Sequence, residues 1–386
     1  MNLLTTTADL ALLCEELARE PYVAVDTEFM RDRTYYPKLC LVQVAGAKRH
    51  AAIDPLAPGI DLAPLFTLMA NPDVLKVFHA ARQDIEVFFR LTGAVPTPLF
   101  DTQLAAMVCG YGEEVGYETL VSQVAKGRID KSSRFTDWSR RPLSAQQLTY
   151  ALGDVIHLRV IYERLKRQLE QTGRTDWVAQ ELADLTNPAM YDQPLDDAWK
   201  RIKVRSREPR FLAVLRALAA WREGEAQRRD LPRNRIVRDD LLLEIAANRP
   251  TSAEELAKLR RISLDRQSVE GAILAVRAAL ALPENALPRL EAPPKMPRGL
   301  GPTIDLLRVL LKLKCEEHKV AQRLVATTGD LEAIATQDAA DVGALRGWRF
   351  EVFGRAALAL KRGELGLAIA DGQIVLIPVA GLLGSA

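Results

Sequence analysis

The chain has 386 residues, 48% hydrophobic and 26% charged, with a formal net charge of +2; that length exceeds one ordinary core and predicts two or three globular domains. Four scattered cysteines without C-x-x-C spacing exclude a zinc ribbon and a disulfide framework, and suit a reducing, cytoplasmic compartment. No run of about 18 apolar residues is present, so no membrane span or membrane partner is expected.

The opening "MNLLTTTADLALLCEELARE" reads as an amphipathic helix with a Thr/Asp N-cap rather than a signal peptide. Residues 22–30, "YVAVDTEFM", alternate as a strand. Residues two apart on a strand share a face. Asp26 and Glu28 therefore lie with Tyr22 and Ala24, while Val23, Val25, Thr27 and Phe29 face the other way. Two carboxylates about 7 Å apart on a strand repel and resist desolvation, so they need solvent, basic partners or a cation.

"KLCLVQVAG" and "RHAAIDP" continue as an antiparallel meander. "DLAPLFTLMANP" is a helix stopped at Asn71 and Pro72. "VLKVFH" is a fourth strand, parallel to a neighbour through this crossover. It enters the helix "AARQDIEVFFRLTG", closed by Gly93. "TPLFDTQLAAMVCG" gives a short strand and a helix. Ser144 caps a long helix over "SAQQLTYALGDVIHLRVIYERLKRQLEQTG". Together these predict an α/β domain over residues 1–190, a mixed sheet with flanking helices.

From about residue 207 the strand signals nearly vanish. "EPRFLAVLRALAAWREGEAQRRD", "RDDLLLEIAANRP", "TSAEELAKL" and "DRQSVEGAILAVRAALAL" make a helical unit over 207–287, followed by a Pro/Gly-rich linker over 288–302. "TIDLLRVLLKLKCEEHKVAQRL", "TTGDLEAIA", "DAADVGAL" and "FEVFGRAALALKRGEL" follow in the same helix order over 303–386. The pattern is an internal duplication of a unit of roughly 80 residues. "GLAIADGQIVLIPV" adds a hairpin turning at Asp371 and Gly372. Between Lys200 and Arg238, thirteen Lys and Arg face four Asp and Glu, a local charge of +9 suited to phosphate contacts or to a solvated helix face.

Two further acids stand out. Asp84 falls in the first turn of its helix, where an acid also suits the helix N-terminus. Asp154 follows Tyr150 by four residues, so both share one helix face, beside apolar Leu148, Leu152, Val155 and Leu158. A cation site serves all these acids at once. Oxygen-only ligands point to Mg²⁺ or Mn²⁺. Paired divalent ions about 3.5–4 Å apart support in-line attack of water on a phosphodiester, and the Tyr150 hydroxyl is placed to orient that water.

D-x-E (Asp26, Glu28), H-x4-D (His79, Asp84) and Y-x3-D (Tyr150, Asp154), in this order, resemble the DEDD-type 3′–5′ exonucleases of the DEDDy subclass. "VDTEFMRDRTYYPKLCLVQVA", "KVFHAARQDIEVF" and "DWSRRPLSAQQLTYALGDV" resemble the ribonuclease D family, and the two helical units resemble its tandem helicase-and-RNase-D C-terminal (HRDC) domains. The resemblance implies an RNase H-like exonuclease domain followed by two all-α HRDC-type domains. It implies two divalent ions, one held by Asp26, Glu28 and Asp154, with Asp26 bridging to the second and Asp84 acting nearby. The implied reaction is stepwise hydrolysis of RNA from a 3′-hydroxyl end, releasing nucleoside 5′-monophosphates. The implied partners are tRNA precursors and single-stranded 3′ ends, with a monomer as the default. A DNA exonuclease and a non-catalytic nucleic-acid scaffold are the alternatives; the presence of all four acids and Tyr150 weighs against the scaffold.

Six residues are candidates for substrate contact, each with a structural alternative. Phe29 and Met30 are placed to wedge against the terminal base, or are core. Gln43 faces a terminal sugar or makes a sheet hydrogen bond. His79 meets a phosphate or the terminal nucleotide, or caps a strand. Trp138 and Arg141, with Arg140, form a basic–aromatic cluster for the RNA backbone, or pack and solvate.

Overall fold

The computed structural model describes residues 3–129, 133, 136–192, 194–259, 264–290, 297, 299–337 and 339–379. β1 (Leu3–Leu4) precedes α1 (Thr7–Leu17), whose N-cap Thr6 accepts a hydrogen bond from the Asp9 amide. β2 (Tyr22–Met30), β3 (Lys38–Ala45) and β4 (His50–Ile53) form the expected meander. α2 (Ala63–Ala70) crosses to β5 (Leu75–Phe78), which pairs parallel to β2. α3 (Arg82–Thr92) ends at Gly93 with φ 72° and leads to β6 (Leu99–Asp101) and α4 (Thr102–Val108). The sheet order is β1-β4-β3-β2-β5-β6, with β1, β5 and β6 in parallel pairings. After α5 (Tyr117–Leu120) comes the long α6 (Ala145–Thr172), opened by a capping box between Ser144 and Gln147, and then α7 (Thr175–Leu185). β1 and α7 carry no strong sequence signal: one is two residues long and the other lacks a side-chain N-cap.

Central β2 is covered on both faces. Val23 and Val25 join Leu10, Leu13, Val42, Phe78 and Phe88 in the core under α1–α3. On the other face Ala24, Ala45 and Val77 meet Val155, Leu158 and Tyr162 of α6. Small residues there let α6 approach closely, so the helix lies directly over the strand that carries Asp26. A bulge between Glu28 and Phe29 shifts the β2–β3 register at the strand's end.

α8 (Pro209–Arg229), α9 (Arg233–Ile236), α10 (Asp239–Asn248), α11 (Ala253–Ala257) and α12 (Arg266–Leu280) enclose a core of their own around Leu212, Leu215, Leu218, Ile245 and Val276. The next set is α13 (Gly301–His318), α14 (Gln322–Val325), α15 (Thr328–Thr336), α16 (Gly347–Arg349) and α17 (Arg355–Lys361). It shares one core with the first domain: Leu307, Leu310 and Phe353 pack with Val108, Ile161 and Leu165. At this seam Gly110 has φ 83°, and a Cβ there would lie 2.5 Å from the Lys319 carbonyl oxygen. Only glycine permits that approach.

Two expectations fail locally. "DAADVGAL" is not a full helix; among its described residues only Gly343–Leu345 form a 3₁₀ turn. "FEVFGRAALALKRGEL" opens with a π-helical turn, Phe350–Gly354, before α17. A Cβ on Gly354 would stand 2.6 Å from the Ala344 carbonyl, so close backbone packing replaces regular helix there. The final hairpin, β7 (Leu365–Ala370) and β8 (Gln373–Pro378), turns at Asp371 and Gly372, both at positive φ. Of the predicted linker 288–302, residues 291–296 and 298 lie outside the described residues. Among the described residues no helix is long and apolar enough to cross a membrane.

Candidate active site

β2 and α6 meet at an open cavity of about 400 Å³ lined by Asp26, Glu28, His79, Tyr117, Tyr150 and Asp154, among others. Asp26, Glu28 and Asp154 each bring one carboxylate oxygen there, all within 4.8 Å of one another. The two acids of one strand face and the acid of a helix more than a hundred residues later therefore converge. Burial pushes the Asp26 carboxyl up to about 7. Three clustered acids with hard oxygen donors fit a divalent cation, which would remove their repulsion and repay their desolvation.

Asp84 stands outside that trio. It is buried in the first turn of α3, where its carboxylate accepts the Thr27 hydroxyl. Burial first, and the neighbouring Asp26 charge second, hold its carboxyl well above the usual range. Thr27 lies between Asp26 and Glu28 in β2, so the fourth acid is tied to the same strand from the opposite side.

Two positioning residues escaped the sequence reading. Asp101 caps α4 through Gln103 and also accepts from the amides of Ala80 (3.1 Å) and Ala81 (2.8 Å). Ala80 adopts φ 55°, a left-handed conformation that alanine resists. Asp101 thus clamps the turn that aims Asp84. Its signal was the Asp-Thr pair ahead of a helix, a local cap that gives no hint of the second, long-range bond. Tyr117 donates its hydroxyl to the Asp154 carbonyl and pins α6 at that turn. No motif marked it.

His79 lines the cavity, with Nδ1 3.0 Å from Thr102 Oγ1. The Thr102 hydroxyl donates to the Phe78 carbonyl, so it accepts from Nδ1–H. That bond leaves Nε2 as an acceptor, and burial lowers the imidazole to about 4, so the ring is neutral near pH 7. A phosphate would find no cation in it. Tyr150 lies one turn before Asp154, its ring 6.1 Å from Trp138.

The remaining substrate-contact candidates sit differently from expectation. Gln43 pairs across the sheet with Asp26, is fully buried and does not line the cavity, and its side-chain amide finds no hydrogen-bond partner among the described residues, so the expected sheet hydrogen bond is absent there. Trp138 is 2% exposed, packed with Leu41, Leu148 and Ala151, and offers no face to a base. Phe29 packs on the α1–α3 core and Met30 on the Trp138 cluster; neither lines the cavity. Arg141 is fully engaged: Nε and Nη2 form a fork onto Asp54 (2.7 and 2.6 Å), Nη1 donates to the Trp138 and Arg140 carbonyls, and Nη2 also donates to that of Cys40. All five donors of the guanidinium are used, which corrects the RNA-contact reading. Arg140 beside it is exposed.

The basic stretch Lys200–Arg238 is also quieter than its +9 suggests. Much of its charge is met by acids inside the stretch and just beyond it. Arg216 pairs with Asp196, Arg222 with Asp239 and Arg229 with Asp265. Arg201 and Arg233 converge on the buried Glu223.

The 3′–5′ exonuclease family model matches residues 1–170, and the HRDC domain model matches residues 211–274, within the first helical unit. The chain is 52% identical to the ribonuclease D of Nitrobacter hamburgensis, over 97% of this chain and 99% of that protein. It is 50% identical to the ribonuclease D of Gluconacetobacter diazotrophicus, over 97% and 96% respectively. The crystal structure of Escherichia coli RNase D, an exoribonuclease involved in structured RNA processing, superposes with a TM-score of 0.79 at 32% identity, covering 93% of this chain and 98% of that one. The chain belongs to the ribonuclease D family and is a hydrolytic 3′–5′ exoribonuclease of a class that works with divalent metal ions.

Proposed function

We propose that the chain removes nucleotides singly from the 3′-hydroxyl end of RNA, releasing nucleoside 5′-monophosphates, and that tRNA precursors and other structured RNAs with single-stranded 3′ tails are its substrates. The convergence of Asp26, Glu28 and Asp154 in one open cavity with Tyr150 carries this reading. Asp26, Glu28 and Asp154 would hold a first Mg²⁺ or Mn²⁺ and Asp26 a second, with Asp84 backing the strand from behind through Thr27. When bound, such a pair lowers the pKa of the attacking water and stabilises the departing 3′-oxygen.

The protein's own groups do the orienting. Tyr150 directs the attacking water with its hydroxyl. His79, neutral with Nε2 as acceptor, takes a hydrogen bond from a ribose hydroxyl of the terminal nucleotide. Asp101 and Tyr117 fix the backbone around Asp84 and Asp154.

The domain reading follows the same lines: 1–190 nuclease, 207–287 HRDC, 303–386 a second, divergent HRDC-like unit, in a monomer. Both helical units run from a long helix with a left-handed cap (Asp230, Lys319) into a four-residue helix and then a nine- or ten-residue helix, which supports a duplication. A 5′-labelled tRNA precursor with a 3′ tail, incubated with Mg²⁺, should shorten one nucleotide at a time and yield 5′-monophosphates. Internal fragments, or equal degradation of DNA of the same sequence, would overturn the assignment.

A further inference from the structure

Four cations of the basic stretch have neither an acid nor a carbonyl partner among the described residues: Lys203, Arg205, Arg207 and Arg235. Three of them lie together. Residues 203–208 form no helix or ladder, and their flanks Ile202 and Glu208 are extended. Exposure alternates along them. Ile202 is buried and Val204 packs on the core of the first helical unit, whereas Lys203, Arg205 and Arg207 are exposed. An extended backbone with that alternation puts the three cations on one side, about 6.6 Å apart.

Three like charges at that spacing repel unless an anion joins them. The acids nearby do not. Glu208 is held by Arg249, Asp197 by Lys200, and Glu223 by Arg201 and Arg233. The buried Ile202 and the partly buried Val204 anchor the row to the core of the first helical unit.

The row also leads somewhere. Arg201, two residues before Lys203, shares a cavity of about 400 Å³ with Arg31 and Tyr35. Arg31 stands three residues beyond Glu28, just past the end of β2. The row of cations thus begins two residues from a cavity whose other wall is the end of the strand bearing the acids; the two arginines in that cavity are themselves paired, Arg31 in a fork onto Glu86 and Arg201 with Glu223. A polymer with one negative charge per repeat, at a spacing like that of successive phosphates in an extended single strand, matches the row.

We propose that Lys203, Arg205 and Arg207 form a track for the phosphodiester backbone of the single-stranded RNA upstream of the 3′ end being hydrolysed. The proposal rests on the acid cavity as the place where that 3′ end reacts. Substrates of two lengths separate the two ideas, because a dinucleotide occupies the cavity and cannot reach the track.

The test compares wild type with K203Q/R205Q/R207Q on an unstructured 20-nucleotide RNA and on a dinucleotide, across a salt series. Loss of three single-strand phosphate contacts should flatten the slope of log KM against log salt for the 20-mer by about 2. The ratio of 20-mer KM to dinucleotide KM should rise roughly tenfold or more. The charge-preserving K203R/R205K/R207K should keep the wild-type slope. An unchanged slope for the glutamine variant, or an equal KM rise on both substrates, would overturn the track. Hydrolysis of the 20-mer by Asp26→Asn at the wild-type rate would instead count against the cavity as the reacting site.

Discussion

Replacing Arg141 by glutamine separates a structural staple from an RNA contact. Asp54 is 4% exposed and lies just past β4; Arg141 stands just before α6, the helix that carries Tyr150 and Asp154. Their fork therefore ties the entry of α6 to the sheet. Losing the guanidinium strands a buried carboxylate and frees the carbonyls of Cys40, Trp138 and Arg140. Breaking a buried pair from one side costs about 3–5 kcal/mol. A quarter of the Arg141 side chain meets solvent, so the lower end, about 3 kcal/mol, is expected. In urea unfolding of the full chain, R141Q should lose that much stability, and R141Q/D54N should recover part of it because no orphan charge remains. The kcat on single-stranded RNA should fall with R141Q, since α6 is no longer held in place. An unchanged unfolding midpoint together with a raised KM would refute this reasoning and restore Arg141 as a substrate contact.

Two further outcomes follow from the geometry. Because burial lowers His79 to about 4 from 6.5, the unfolded chain takes up a proton there before the folded one does. Stability from this group is full above pH 6.5 and declines as pH falls toward 4, by up to about 2 kcal/mol at pH 5. The urea midpoint of H79Q should therefore drop less than that of wild type between pH 7 and pH 5, and parallel drops would contradict the buried neutral ring. G110A forces a Cβ into the Lys319 carbonyl from a left-handed backbone, a cost of about 2–3 kcal/mol. Amide exchange in α13–α17 should accelerate in that variant, and wild-type protection would show that the seam yields without loosening.

The site was legible where chemistry repeats within one element. Asp26 and Glu28 announce themselves because two charges on a buried strand are costly, and Tyr150 and Asp154 because helical spacing stacks them. Their meeting is a property of the fold, made possible by Ala24 and Ala45 under α6. The contact residues were poorly legible for the same reason. Arg141 and Trp138 form a basic–aromatic pair in sequence, but their environment is set by Asp54 and Leu41, far away along the chain. Asp101 and Tyr117 act through single long-range bonds to backbone, which leave no periodic trace. The second helical unit looked independent because its helices repeat the first, yet its apolar faces are shared with α4 and α6. Periodicity shows that a face is apolar but not what covers it.

The metal-cage assignment is tested most directly by Asp26→Asn and Asp154→Asn. Release of nucleoside 5′-monophosphates from single-stranded RNA would be measured as a function of Mg²⁺, beside the dissociation constant for the same RNA. The convergence of the acids predicts a loss of roughly a thousandfold or more in hydrolysis, with RNA binding retained within a few-fold. Digestion by both variants at the wild-type rate would contradict it.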